Sequence, residues 1–357
     1  MTARGMHVTL SDIARRLGVS KVTVSKALRG HPDISPETAG EVKRLARELG
    51  YLPNHIARSL SSKRSNTIGV VVPKIAHFFF SSVIEALYDA ALESGYEVVL
   101  TVSQESAERE ARHLQSLLSM RVDGLIVSLS ANTQDYAMFH WIREMGIPLT
   151  LMDRVIDDHR FTRVVVDDFG GAFAATEQAI AVGHRRIAHL GGAEGTNIGR
   201  ARARGFLSAL ERHGIPVRPE WLIRGGFSEE DGYRGFMQLR ASGEMPEFIF
   251  AATFPLALGV YRAASETGLR IPQDVDIICF GNTGLSQILP SAPTYIEQPT
   301  KDLGVKAFEL TLQQIREKTT PVLVELPTRL ILCGTANQPL EGTGAPRPAV
   351  GGRVSRS

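Results

Sequence analysis

The 357-residue chain has little of what several protein classes require. It holds 2 cysteines, Cys279 and Cys333, each inside an apolar stretch (DIICFG and LILCGT), so no disulfide framework is available. Thiols placed that way are expected to stay reduced in the core of a cytoplasmic protein. No apolar run is long enough for a membrane span; the nearest, Phe248 to Tyr261, is interrupted by Pro255. Met1 to Ser20 lacks the apolar stretch of a secretory leader. The ten histidines are scattered, with no H-E-x-x-H, no zinc-spaced cysteines and no G-x-S-x-G. The Gly191-Gly-Ala-Glu-Gly195 run lacks the Lys-Ser/Thr of a phosphate loop. No enzyme, metal or cofactor is expected. Charge of one sign is lacking too: 40 Lys+Arg against 38 Asp+Glu leave +2.

What is present is apolar residue enough, 43%, for two or three ordinary domains. The near-zero charge is also an average of unequal parts. Residues 1–66 carry 12 basic and 5 acidic groups, and the remainder carries 28 and 33. The break falls in the polar stretch Ser61 to Asn66, just before TIGVVVP, as a linker would. Gly, Pro and Arg dominate 341–357, which is expected to be a disordered tail.

The basic head reads as three short helices. Thr9-x-x-Asp12 fits a capping box for a helix that Gly18 stops. Ser20 caps a second helix reaching about Arg29, and Ser35-Pro36-Glu37 starts a third, ended by Gly50. Val24, Ala27 and Leu28 share the inner face of the second helix, leaving Lys21, Val22, Ser25, Lys26 and Arg29 outside. A slim cationic second helix after a tight turn is the shape that enters a major groove. On charge alone, a small solvated bundle explains the pattern equally. The next segment, LPNHIARSL, is about two turns long and marginal as an isolated helix, so it is expected to fold only against DNA and a partner chain. Leu60, beside Arg58, Lys63 and Arg64, suits an apolar wedge in a minor groove, and Ala57 suits close helix packing. A plain linker is the alternative.

The stretches LSDIARRLGVSKVTVSKALRG and ETAGEVKRLARELGYLPNHIARSL closely resemble the DNA-binding head of lactose-repressor-type (LacI/GalR family) transcription regulators. The resemblance continues through TIGVVVP, RVDGLIV, GHRRIAHLGG, the R-x-x-GF of Arg202 to Phe206, and LRIPQDVDIICFGN, covering residues 8 to 335. It implies DNA contacts from Thr9, Ser20, Lys21, Val22, Thr23, Ser25, Lys26, Arg29, Asn54, Ala57, Arg58 and Leu60. Lys21, Val22 and Lys26 take base-reading positions, and Leu60 takes the wedge position. Relatives often carry Arg where Lys26 stands, so the planar fork of that contact is missing here.

From Thr67 on, apolar strand-like runs alternate with amphipathic helices whose ends are marked by Gly95, Gly146, Gly183, Gly214 and Gly268. That rhythm predicts an α/β core of two doubly wound parallel-sheet subdomains, with about nine strands before Gly281. The resemblance implies a periplasmic-binding-protein-like core, crossing between subdomains near Thr162, Ser291 and Glu325. The expected organisation is a helix-turn-helix domain at 1–52, hinge helix and linker at 53–66, and an effector-binding and dimerisation core at 67–340. Its N-subdomain covers about 67–162 plus 292–325, and its C-subdomain about 163–291 plus 326–340.

Ligands in such sheets sit beyond the carboxyl ends of strands. Those ends carry His77 to Phe80, Asp153-Arg154, Asp167-Asp168, Gly191-Gly192, Phe227, Thr253-Phe254 and Gly281-Asn282. Rings with a few Arg and Asp suit a flat polyhydroxylated or heterocyclic ligand, although the phenylalanines also read as core and Asp168 as a helix cap. By the resemblance, Phe79, Phe80, Asp153, Arg202, Phe227 and Asn282 are effector-contacting positions. His77, where relatives often have Asn, is a further contact or a loop residue. Many relatives carry Asp at Gly281 and just before the helix that begins Phe254-Pro255, so two acceptors are missing here. The implied protein is a repressor, a homodimer or tetramer on a palindromic double-stranded operator. A sugar-like or other polar effector would modulate it. A transport-type binding protein would instead carry a leader and no head.

Overall fold

The computed structural model describes residues 8–51, 64–76, 78–281 and 294–333. The chain divides into two compact units, Met1–Ser65 and Asn66–Ser357.

In the first unit, α1 (Leu10–Leu17), α2 (Lys21–Leu28) and α3 (Pro36–Glu48) pack around Ile13, Ala14, Val24, Ala27, Val42 and Ala46. The Thr9 amide and hydroxyl both donate to the Asp12 carboxylate, at 3.0 and 2.7 Å. Gly18 turns the chain with φ +66°, and Ser20 Oγ accepts from the Thr23 amide at 3.0 Å to start α2.

The second unit runs β1 (Thr67–Val72), α4 (Phe78–Glu93), β2 (Glu97–Val102), α5 (Ala107–Ser119), β3 (Gly124–Val127), α6 (Ala137–Glu144), β4 (Leu149–Met152) and β5 (Thr162–Val166). It continues with α7 (Asp168–Ala181), β6 (Ile187–Leu190), α8 (Asn197–Arg212), β7 (Leu222–Ile223), α9 (Glu229–Ala241), β8 (Phe248–Ala251), α10 (Phe254–Thr267) and β9 (Asp276–Phe280). Last come β10 (Thr294–Glu297), α11 (Thr300–Arg316), β11 (Leu323–Leu326) and β12 (Arg329–Ile331). The five glycines that follow helices, Gly95, Gly146, Gly183, Gly214 and Gly268, all have positive φ.

Two six-stranded sheets result, ordered β11-β5-β4-β3-β1-β2 and β12-β10-β9-β8-β6-β7. All pairings are parallel except β10 with β12, which is antiparallel at the second sheet's edge. Strands such as β1, β3 and β8 are buried nearly throughout, as parallel strands covered on both faces must be. Helices on both sides give each sheet two apolar layers.

The crossings lie later than the expected ones. β5 starts at Thr162 but pairs with β4 and β11, so the first crossing follows Val166. β10 pairs with β9, so the second follows Glu297 and not Ser291. The third follows Leu326, one residue beyond the expected Glu325. Thr294 to Glu297 therefore belongs with the C-subdomain sheet and Thr162 to Val166 with the N-subdomain sheet. Each strand satisfies its backbone in whichever sheet accepts it, and its own composition suits either. Cys279 is a buried free thiol, pushed up to about 12 by burial, and Cys333 is free and half-buried. No helix among the described residues is long and apolar enough to cross a membrane.

Candidate functional site

Each unit presents a separate candidate surface. In the head, α2 turns Val24 and Ala27 inward and leaves Lys21, Val22 and Arg29 exposed, Val22 at 64%. Ser20 and Thr23 are tied together at the start of the helix, their hydroxyls 2.9 Å apart. Arg29 folds back on Ser25, reaching its carbonyl at 3.1 Å and its hydroxyl at 3.0 Å. Lys26 Nζ meets Asp33 at 2.8 Å. The remaining expected DNA contacts, Asn54, Ala57, Arg58 and Leu60, lie outside the described residues, as do most of the 53–66 hinge and the 341–357 tail.

The second unit holds a cavity of about 560 Å³ lined by residues beyond the carboxyl ends of strands in both sheets. The N-subdomain side supplies Lys74, Phe78, Phe79 and Phe80 after β1, Glu105 after β2, Asn132 after β3, and Asp153 and Arg154 after β4. The C-subdomain side supplies Ile198 and Arg202 from α8, Phe227 and Asp231 after β7, Thr253 and Phe254 after β8, Gly281 after β9 and Gln298 after β10. Phe79, Phe80, Asp153, Arg202 and Phe227, expected from separate parts of the chain, therefore line one space. Asn282 and His77 lie outside the described residues.

Local sequence explains how the key groups arrive. Arg202, Gly205 and Phe206 share one face of α8 at i, i+3 and i+4 spacing. A Cβ on Gly205 would stand 2.3 Å from the Phe169 carbonyl oxygen, so glycine lets α8 approach α7. That approach brings Arg202 Nε to 2.8 Å and Nη2 to 2.6 Å from Asp168 Oδ1. Arg202 Nη1 also donates to the Ala252 carbonyl, and its guanidinium lies 3.8 Å from the centre of the Phe280 ring. The alternative reading of Asp168 as a helix cap does not hold, because Asp167 makes the cap, accepting from the Gly170 amide at 2.7 Å. Asp168 is the buried counter-ion of Arg202, and burial still raises its carboxyl from the ordinary range.

Phe227 owes its place to the double glycine after β6. A Cβ on Gly192 would fall 1.9 Å from the ring, so only glycine leaves room for it. Arg154 stacks on the same ring from the other subdomain, 4.5 Å from its centre, while its Nη1 holds both Glu105 oxygens at 2.8 Å. A second tie crosses the cleft at the start of α8. Asn197 donates to the Asp153 carbonyl at 2.9 Å and accepts from the Val155 amide at 3.0 Å.

Asp153 itself is buried and left-handed, φ +62°, a strained setting that non-glycine residues adopt rarely. Its carboxyl is pushed up to about 6 by burial, only partly opposed by Arg154 and Arg202. Other cleft groups are already occupied. Asp231 accepts from the Ser228 amide and hydroxyl and from Arg234, and Glu105 also accepts from the Ala131 amide at 2.8 Å. Thr253 Oγ1 and Arg154 Nε are buried without a hydrogen-bond partner among the described residues. Lys74, Glu105 and Gln298 also line the cavity without being among the residues expected there. The strand-end rule applied to VVVP and LTVSQ would have found the first two, and Gln298 was hidden by the misplaced crossing.

A helix–turn–helix unit joined to a two-sheet ligand cleft defines a ligand-responsive DNA-binding regulator, and comparison with known proteins agrees. A model of bacterial regulatory proteins of the lacI family matches residues 9–54, and one of periplasmic binding proteins and the sugar-binding domain of the LacI family matches residues 65–332. Catabolite control protein A of Priestia megaterium is 32% identical over 327 residues, 91% of this chain and 98% of that protein. The HTH-type transcriptional repressor PurR of Erwinia tasmaniensis is 34% identical over 312 residues, 87% of this chain and 91% of that one. Among solved structures, the lac repressor dimer bound to operator and the anti-inducer ONPF superposes with TM-score 0.82 at 28% identity, covering 92% of this chain and 99% of that one. The CelR–cellobiose complex superposes with TM-score 0.70 at 27% identity, again covering 92% and 99%. The chain belongs to the LacI family: it is a DNA-binding transcriptional regulator and not an enzyme.

Proposed function

We propose that the protein is a cytoplasmic repressor that binds a near-palindromic DNA site as a homodimer and changes its DNA affinity when a small molecule enters the cleft. The observation that carries this reading is the cleft itself: strand ends of both sheets converge on one cavity, in the same chain as a head with an exposed cationic helix. Lys21, Val22 and Lys26 read bases in the major groove, and Thr9, Ser20, Thr23, Ser25 and Arg29 hold the backbone. Asn54, Ala57, Arg58 and Leu60 act in the minor groove between half-sites. Phe79, Phe80, Asp153, Arg202, Phe227 and Asn282 contact the effector, for which the family's sugars are the reference case. Twofold symmetry of the protein matches that of its site. An inducer must bind the DNA-free form more tightly, and a corepressor the DNA-bound form.

The test is a fluorescence-anisotropy titration of the full chain against a library of palindromic and random duplexes at several salt concentrations. Selection of one palindrome family, with the logarithm of affinity falling linearly against log salt, is the expected result. Lys21→Ala should then weaken the selected site far more than random DNA. Equal affinity for every duplex at moderate salt would end the reading.

A further inference from the structure

The two ties across the cleft gain weight from where they stand in the sheets. The chain joins the two halves after β5, β10 and β11, on the β11-β5 side of one sheet and the β12-β10 side of the other. Phe227 follows β7, the outermost strand at the opposite side of the second sheet. Five strand spacings separate β7 from β12, about 24 Å. Arg154 follows β4, but the carboxylate that holds it, Glu105, follows β2, the outermost strand opposite β11. Asn197 starts α8, which leads from β6 to β7. A tie placed far from the joining segments resists separation of the halves with the longest arm.

The chemistry suits that place. Arg154 and Glu105 keep only 8% and 21% of their side-chain surface in solvent, so water competes weakly for the pair and for the ring beneath it. A guanidinium over an aromatic face gains most when it is desolvated, as it is 4.5 Å from the centre of Phe227. Asn197 adds a two-way amide bond, donating to the Asp153 carbonyl at 2.9 Å and accepting from the Val155 amide at 3.0 Å. Every partner in both ties is a group of the chain itself.

We propose that Arg154 and Phe227 are a positioning pair which, backed by Glu105 and Asn197, latches the two halves together opposite the three crossings. Closure then needs no ligand, and passage of a ligand into or out of the cavity requires the latch to part. The inference concerns the core's own equilibrium between closed and open forms and stands whatever the cavity binds.

The Val155 amide supplies the readout. Its acceptor, Asn197 Oδ1, belongs to the other half, so its hydrogen exchange reports separation of the halves. Two amides bonded within one half are internal controls: Leu129 to the Arg154 carbonyl at 3.0 Å, and Gly191 to the Ile223 carbonyl at 2.8 Å. Exchange is measured on the full chain at single amides by mass spectrometry, with no small molecule added. Val155 should be protected about tenfold or more relative to an unstructured amide. Phe227→Ala should cut that protection about fivefold or more and leave Leu129 and Gly191 unchanged. Phe227→Tyr, which keeps a ring face for the guanidinium, should retain the wild-type protection. Glu105→Gln keeps the side chain's shape but gives up the charge that holds Arg154, so it should lower Val155 protection in the same direction. An unprotected Val155 in the wild type would overturn the proposal, as would unchanged protection in both Phe227→Ala and Glu105→Gln. So would equal losses in the Ala and Tyr variants, or a loss in Glu105→Gln that spreads equally to Leu129 and Gly191, which would report loosening within a half.

Discussion

Lys26 and Asp33 meet at 2.8 Å in the head, and Arg202 and Asp168 meet at 2.6 Å in the core. The geometry is nearly the same, but the surroundings are not. The head pair keeps 34% and 57% of its side-chain surface in solvent, the core pair 2% and 5%. Water and salt screen the first, so it contributes little to stability and its lysine can leave Asp33 for an outside partner at little cost. The second is dry. Neither member can be removed without stranding the other, and burial penalises both charges even when they are paired. The head thus keeps its charges available to an outside partner, whereas the core uses its own to build the cleft wall.

The largest expected consequence is at Arg202. Arg202→Met should destabilise the core by about 3–5 kcal/mol, because Asp168 is left buried and unpaired. Arg202→Met with Asp168→Leu should recover most of that loss. Thermal or urea unfolding of both variants checks the pair, and a single variant of wild-type stability would show that the pairing holds nothing.

Asp153 gives the intermediate effect. Its neighbours are Arg154, Arg202, Asp168 and the Ser128 hydroxyl, and its carboxyl sits near 6, above the ordinary range. The folded state therefore holds its proton more tightly than the unfolded chain, so ionising it costs stability above pH 6. Asp153→Asn should stabilise the core on the order of 2 kcal/mol at pH 8, with the gain shrinking through pH 6 and gone below about pH 4. A pH series of unfolding midpoints reads this directly. A gain that did not vary with pH would assign the effect to something other than ionisation.

The smallest effect belongs to the head. Asp33→Asn should leave its unfolding midpoint unmoved while tightening DNA binding at low salt, since Lys26 loses an internal competitor. The tightening should disappear at high salt.

These pairs also mark the limit of what is legible in the chain. The head was readable because its determinants are local: Thr9 with Asp12, Ser20 with Thr23, and one apolar face per helix. Most of the cleft was readable because strand ends converge in this architecture, which is why Phe79, Asp153, Arg202 and Phe227 came together as expected. The pairing of those groups was not. Arg202 finds Asp168 across 34 residues and Arg154 finds Glu105 across 49, so which charge is free and which is neutralised depends on tertiary approach. The sheet membership of TRVVV and TYIE was equally hidden, because either sheet could accept such strands.

Among the described residues the backbone passes between the two sheets of the core three times, after Val166, Glu297 and Leu326. One connection would let the halves swivel freely, but three side by side act as pins along a single door edge. Such an arrangement favours swinging about that edge over sliding or twisting. A molecule that fills the cavity would then be read as one variable, an opening angle. A change of lining residues would then alter which molecule is read without altering the edge on which the halves turn.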